Sequence, residues 1–346
     1  MTKVRHTFKT TSTGWTLTSE TGEELLIGTD HPKAEWLEQL EAGRIVNINA
    51  KGHWTSSRDY TGLYNAAPKS SGPVEVKLTQ LNDLNFSDDL FNPMRTDTPL
   101  DDFLSTDGGF MPGSNIMAAG APGVGKTTVL LEAIHKVREI DPTKKVLFIS
   151  AEMTQLDMAR YLKRFPHWGD LNILFLSDFI DTNPKAVIEA TLNQGWDLVL
   201  TDSFSEVNDT VKEACNMTRG KTENWFLSLM GEHNKGNNKL NKYTTFITIL
   251  QLSKGGTFVG GNRLKHMTTA MMDINWKGGE NSTERYMEFT KNRLGQVGQK
   301  LYFDLATGVK FDAQRYQRDL LNDQMIAEEK EKLASEANAF DELFAS

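Results

Sequence analysis

The sequence predicts an α/β protein built on a mostly parallel, twisted sheet with helices on both faces, preceded by a small β-rich module. Two patterns carry that expectation. From about residue 100, apolar runs of strand character alternate with helical patterns for some 200 residues, which is the signature of strands joined by crossover helices. Before residue 65, only short alternating runs occur, broken by Gly14, Gly22, Gly28 and Gly43, as in a small antiparallel module. A length of 346 residues fits about two domains.

The elements follow in order. In the N-terminal module, residues 1–65, strands are expected at 16–18, 25–28 and 44–49. One short helix is expected over 32–41, with Asp30 ahead of it as a cap. Residues 66–96 read as a linker, opening on the Pro-, Gly- and Ser-rich stretch 66–74. A larger domain spans 97–313. Its strands are expected at 115–119, 145–150, 172–176, 198–201 and 244–250, with helices at 126–139, 155–165 and 184–194. Three later runs, 286–290, 300–305 and 309–311, read as added antiparallel strands. The tail, 314–346, reads as an acidic polar helix over 315–333 leading into a frayed, disordered end.

Composition narrows the class. The hydrophobic fraction is 38% and the charged fraction 24%, ordinary for a globular protein. No run approaches the roughly 18 apolar residues of a membrane span, and the first residues lack a signal-peptide core. A single cysteine, Cys215, excludes a disulfide framework and a four-cysteine zinc site. No histidine pair has metal-ligand spacing. The expectation is a cytoplasmic protein with no membrane partner.

The formal net charge of −8 argues against nucleic acid only as an average. Residues 323–346 hold seven acids against two lysines, whereas residues 235–300 hold eleven Lys and Arg against four acids, a surplus of +7. Such asymmetry fits a polyanion partner plus an interaction tail; the plainer alternative is a solvated basic face. The tail's acids and Phe340 and Phe344 fit either a docking peptide for a protein partner or a solubilising end.

One motif is chemically specific. Gly120-Ala-Pro122-Gly123-Val-Gly125-Lys126-Thr127 matches G-x-x-x-x-G-K-[ST]. Its glycines let backbone N–H groups turn inward around a β-phosphate, Lys126 reaches β/γ oxygens, and the Thr127 hydroxyl serves Mg²⁺. Thr128 continues into the helix whose N-terminal end adds positive potential. The expected ligands are ATP and Mg²⁺, with Gly120, Pro122, Gly123, Gly125, Lys126, Thr127 and Thr128 at the nucleotide. A second acid is needed near the metal at a neighbouring strand end, and Asp202 ends the apolar run 198–201. Glu152, directly after the strand at 145–150, is placed to activate water, its alternative being to open the next helix. Gln251, at the end of the run 244–250, is expected to sense the γ-phosphate.

These residues carry a resemblance. Leu100-Asp101-x-x-Leu104, Gly108-Gly109-x-x-Pro112-Gly113-Ser114 and the phosphate loop resemble the start of the ATPase core of RadA/Sms and DnaB-type proteins. Ser150-Ala151-Glu152-Met153 is similar to their catalytic-glutamate motif. Residues 253–267, running Ser253-Lys254-Gly255-Gly256 through Gly260-Gly261 to Leu264-Lys265-His266-Met267, are similar to the RadA pattern T-K-E-G-x-x-A-G-P-x-x-L-E-H-M. Lys291-Asn292-Arg293-Leu294-Gly295 resembles K-N-R-F-G, and Gln251-Leu252 looks more like the DnaB version of its strand end. The resemblance covers about residues 97–312 and implies a RecA-like P-loop ATPase core. It implies that Lys254, Gly255, Gly256, Phe258, Arg263 and Lys265 face single-stranded DNA in the central channel of a ring. It also implies that Lys291 and Arg293 reach a neighbouring subunit's γ-phosphate. Two positions depart from the family: Gly255 replaces an acid and Leu294 a phenylalanine. RadA's zinc module, its protease-like domain and DnaB's helical collar have no counterpart in the sequence.

The expected function is an ATP-hydrolysing DNA motor in replication, recombination or repair. It would form a homo-oligomeric ring, a hexamer, on single-stranded DNA. Glu152, Lys126, Gln251, Lys291 and Arg293 would be its catalytic residues, and Thr127 and Asp202 would hold the metal. The rivals are a strand-exchange recombinase forming filaments and a nucleotide-dependent loader or scaffold without turnover.

Overall fold

The structure is a computed structural model that describes residues 3–40, 44–58, 78–251, 268–279 and 282–344. It divides into two compact units, residues 1–84 and 85–346.

The first unit is a five-stranded antiparallel sheet, with strands β1 (Lys3–Thr11), β2 (Gly14–Ser19), β3 (Glu24–Gly28), β4 (Arg44–Asn49) and β5 (Trp54–Arg58). Their spatial order is β3-β2-β1-β4-β5. Register places Phe8 opposite Leu17, Leu17 opposite Leu25, Trp15 opposite Ile27 and Trp54 opposite Ile48. Phe8, Trp15, Leu17, Ile27, Ile48 and Trp54 pack with Leu37 and Trp36 of α1 (Ala34–Glu38) into a small core. The helix is shorter than the sequence suggests and Asp30 does not cap it. Lys33 occupies the cap position, and its backbone N–H instead donates to His31 Nδ1 at 3.1 Å. Strands β1 and β5, rich in Thr, Ser and charge, lack the apolar alternation by which the other strands are read.

The second unit holds a nine-stranded sheet of order β14-β13-β12-β11-β6-β10-β9-β7-β8. Strands β6 (Asn115–Gly120), β7 (Val146–Ser150), β8 (Asn172–Phe175), β9 (Leu198–Asp202), β10 (Thr245–Gln251) and β11 (Ala270–Trp276) are parallel. Strands β12 (Arg285–Asn292), β13 (Lys300–Asp304) and β14 (Lys310–Phe311) extend it antiparallel from β11. The near-continuous apolar runs follow from burial on both faces. In β6, Ile116 and Ala118 join the layer with α3 (Lys126–Ile140), whereas Met117 and Ala119 join the opposite layer. That second layer is built from α5 (Pro184–Leu192), α6 (Phe204–Ala214) and α7 (Arg219–Asn234). Two further helices, α2 (Leu100–Leu104) and α4 (Gln155–Arg164), precede β6 and follow β7.

Residues 85–96, read from sequence as linker, belong to the second unit. Met94 is buried and forms an antiparallel bridge with Phe110, and the buried Asp101 carboxylate accepts the Thr96 N–H at 2.8 Å and the Thr96 hydroxyl at 2.7 Å. The C-terminal tail is also corrected. Rather than fraying after residue 333, helix α8 runs Ala313–Phe344. Ala, Glu, Lys and Leu dominate this stretch and have high helix propensity. Among the described residues, no helix is long and apolar enough to cross a membrane.

Candidate nucleotide site

The sheet register assembles the site before any side chain is considered. Gly120, at the carboxyl end of β6, lies opposite Gln251 of β10 and Ile274 of β11, and Ser150 of β7 lies opposite Asp202 of β9. The chemistry-bearing strand ends therefore share the carboxyl edge of the sheet, where ligands bind in open α/β folds. The Ala151 N–H donates to the Asp202 carbonyl at 2.8 Å and the Glu152 N–H to the same oxygen at 3.2 Å. Two adjacent strand ends are thus tied together just where the loop to Glu152 begins.

The phosphate loop has the backbone that its glycines permit. Gly123 and Gly125 have φ of +78° and +94°, a region L side chains avoid. A Cβ at Gly125 would also stand 2.3 Å from Leu305 Cδ1, and one at Gly120 would stand 2.2 Å from the Ile274 carbonyl oxygen. Lys126 Nζ donates to the carbonyls of Gly120 at 2.9 Å and Ala121 at 3.1 Å. Burial depresses its pKa, and the nearby carboxylates of Asp202 and Glu152 oppose that shift. The Thr127 hydroxyl donates to Asp202 Oδ2 at 2.6 Å. Burial pushes Asp202 up to about 6; the Thr127 hydrogen bond pulls it down and Glu152 pushes it further up. Across the cleft, Gln251 Nε2 lies 3.4 Å from Glu152 Oε2. Glu206, in the first turn of α6, is raised by burial and by Glu152, so three acids share this end of the sheet.

The cleft has a volume of about 740 Å³. Gly120, Pro122, Gly123, Gly125, Lys126, Thr127, Thr128, Glu152, Asp202 and Gln251, all singled out in sequence, line it together. The walls add residues that sequence reading missed. Tyr161 and Arg164 come from α4, Thr283 and Arg285 from the start of β12, and Asp304, Leu305 and Ala306 from the end of β13. Tyr161 and Arg164 stand at i, i+3 on the helix that follows Glu152, so one helical face carried a signal. Arg285 carried none, because only the antiparallel pairing of Trp276 with Arg285 brings the head of β12 to this edge.

Lys291 and Arg293 lie elsewhere. Lys291 pairs with Met271, and its Nζ donates to the Thr268 carbonyl at 2.6 Å. The Arg293 N–H donates to the Thr269 carbonyl, and the Thr269 N–H to the carbonyl of Asn115, the first residue of β6. The length of β6, about 17 Å, separates that level from Gly120. Burial and the neighbouring Arg293 charge hold Lys291 below its ordinary pKa. Lys254, Gly255, Gly256, Phe258, Arg263 and Lys265 lie outside the described residues.

The donor set fits the expected ligands. A loop of inward backbone N–H groups and one ammonium suits phosphate oxygens. A hydroxyl paired with one carboxylate suits Mg²⁺, which takes few protein ligands and completes its shell with phosphate and water.

No family model matches the chain. It is 25% identical over 270 residues to a "DNA repair protein RadA" of Streptococcus pyogenes serotype M6, covering 77% of this chain and 54% of that protein. It is 25% identical over 235 residues to the RadA of Streptococcus pneumoniae, with 67% and 50% covered. Against the RadA of Mycobacterium tuberculosis it is 26% identical over 189 residues, with 54% and 37% covered. The chain spans about half the length of the first two relatives. Among solved structures, a KaiC-like protein of Pyrococcus horikoshii overlaps 64% of this chain and 98% of its own, at 16% identity and a TM-score of 0.48. The flagellar accessory protein FlaH of Methanocaldococcus jannaschii overlaps 64% and 99%, at 14% identity and 0.45. From its phosphate loop, the strand-end acids beside it and its sequence relatives, the second unit is a P-loop ATPase core of the RecA superfamily.

Proposed function

We propose that the chain is an ATP-hydrolysing DNA motor that acts in repair or recombination as a homo-oligomeric ring, a hexamer, on single-stranded DNA. The observation that carries the reading is the convergence of Lys126, Thr127, Asp202, Glu152 and Gln251 on one cleft at the carboxyl edge of the sheet. Binding alone needs the loop, Lys126 and the metal ligands. A carboxylate such as Glu152, facing that cleft within reach of the Gln251 amide, is what turnover adds. The DNA assignment draws on the RadA relatives, which are named for DNA repair.

In this reading ATP lies with its phosphates in the loop. Mg²⁺, when bound, would supply charge neutralisation for the phosphates. Lys126 exchanges its two loop carbonyls for phosphate oxygens, and Thr127 and Asp202 would hold the Mg²⁺. Glu152 orients the attacking water and accepts its proton as that water adds to the γ-phosphorus. The bond from phosphorus to the β/γ bridging oxygen breaks, and Gln251 reads the presence or loss of the γ-phosphate. Lys291 and Arg293 sit too far from their own chain's loop for this work, which supports service to a neighbouring subunit, where a positioned cation stabilises spread phosphoryl charge.

Two variants separate binding from turnover. Lys126→Ala should abolish binding of a fluorescent ATP analogue and lower kcat/KM by at least about a hundredfold. Glu152→Gln should keep analogue binding within a few-fold while turnover falls at least as far. If Glu152→Gln retained wild-type turnover the assigned base would be wrong, and if the wild type bound the analogue without turnover the loader or scaffold without hydrolysis would replace the motor.

A further inference from the structure

The described residues that line the nucleotide cleft belong to the second unit, and the N-terminal unit has a specific connectivity and charge of its own. β1 is shared between β2 and β4, and the short helix stands between β3 and β4. This is the connectivity of an OB fold, left open between β3 and β5 among the described residues; such barrels bind oligonucleotides on strands 2 and 3 and on the β1–β2 and β4–β5 loops, and of these the β4–β5 turn with Lys51 lies in the basic half of this unit.

The charge on this unit is divided. Residues 3–11 and 44–58, which form β1, β4, the turn after it and β5, hold Lys3, Arg5, Lys9, Arg44, Lys51 and Arg58 and no acid. Residues 12–40 hold six acids against Lys33. Because β1, β4 and β5 are neighbours, the division in sequence becomes a division across the sheet.

Register sorts the two faces further. With Phe8, Leu17 and Val46 directed to the core, Arg5, Thr7 and Lys9 alternate onto the other face. Thr16 and Thr18 flank them from β2, opposite Lys9 and Thr7, and Asn47 flanks them from β4, opposite Arg5. Thr55 and Ser57 of β5 continue the row, with Asn47 Nδ2 donating to Ser57 Oγ at 2.9 Å. The apolar residue in this part of the face is Ile45, which is buried.

Lys9 is exposed on the central strand. Lys51 is exposed in a turn whose shape is set by the Asn49 side chain, which accepts the Lys51 and His53 N–H groups at 2.9 Å each. Beside this turn, Trp54 is part-exposed and stacked on His31 with centroids 5.6 Å apart. The far margin differs in character. Glu20 pairs with Arg5 at 3.5 Å, and β3 carries Glu24 and the exposed Leu26.

We propose that the β1–β4–β5 half of this sheet is a binding surface for single-stranded nucleic acid, separate from the ATPase unit. Cations spaced along one strand meet phosphates. The Thr, Asn and Ser groups between them meet sugars and base edges. A protein partner would call for exposed apolar anchors, which the outward row Arg5, Thr7, Lys9, Asn47, Thr55 and Ser57 does not offer.

The test uses the full chain and a fluorescein-labelled oligothymidylate in the absence of nucleotide, read by anisotropy across a salt series. Lys9→Glu combined with Lys51→Glu should weaken binding at least tenfold at low salt. The slope of log K against log salt should fall by about 1.4, the share of two lost phosphate contacts on a single strand. The milder Lys9→Gln/Lys51→Gln pair should shift both quantities the same way. Lys33→Glu, on the acidic half, should change affinity less than twofold. ATP-analogue binding should be unchanged in all three, and Lys126→Ala should leave this nucleotide-free affinity intact, so failure here is distinguishable from failure of the ATPase reading. Unchanged affinity and slope in both Lys9/Lys51 pairs would overturn the proposal, as would an equal loss in Lys33→Glu.

Discussion

Asp202 is the residue where burial, charge and metal chemistry meet most directly. Its carboxyl is raised from 3.8 to about 6 by burial, so without metal the folded protein holds this proton to higher pH than the unfolded chain does. The stability this proton confers is fully present below about pH 4 and is lost as pH rises through about 6. The loss amounts to about 3 kcal/mol, since each tenfold gain in proton affinity on folding is worth about 1.4 kcal/mol. Asp202→Asn removes the titration. In metal-free thermal melts, the variant should therefore gain stability relative to wild type between about pH 4 and pH 7. Added Mg²⁺ with nucleotide should stabilise the wild type at pH 7 and barely affect the variant. A wild-type advantage that grows with pH without metal would contradict the burial account. This residue was legible because a lone Asp closing an apolar run has few other uses. Arg285 was not, because its place in the cleft depends on a strand pairing far along the chain from the phosphate loop, which no local pattern reports.

At the scale of elements, the parallel strands and their crossover helices were readable because burial on both faces writes continuous apolar runs. The helices α6 and α7 were not assigned from sequence, and their composition explains why. Helix α7 carries Gly220 and Gly231 and polar residues on most sides, with its buried face reduced to Thr222, Phe226, Leu227, Met230 and His233. Strand β11 was hidden similarly, its AMMDINW run lacking clean alternation. Phe226 is fully buried beside Phe204, with centroids 5.9 Å apart. Phe226→Ala should cost about 3–5 kcal/mol and lower the melting temperature by roughly 6–20 °C. A shift under about 2 °C would mean that α7 does not anchor the layer behind β9 and β10.

At the scale of the whole molecule, the acidic average of the sequence conceals two basic regions, one late in the chain and one on the small N-terminal sheet. The trans role of Lys291 and Arg293 is an assembly property and can be tested by mixing. Lys126→Ala lacks a working loop and Lys291→Ala/Arg293→Ala lacks fingers, so each should be inactive alone. Mixed equally, they should regain about a quarter of the wild-type rate, since each interface draws its two subunits at random; no regain would contradict shared sites. The most direct test of the motor itself is the steady-state ATPase rate of the full chain, measured at low salt with and without single-stranded DNA. Stimulation by DNA that disappears in Glu152→Gln and fades steeply with salt is the expected result, and a rate indifferent to DNA at low salt would contradict it.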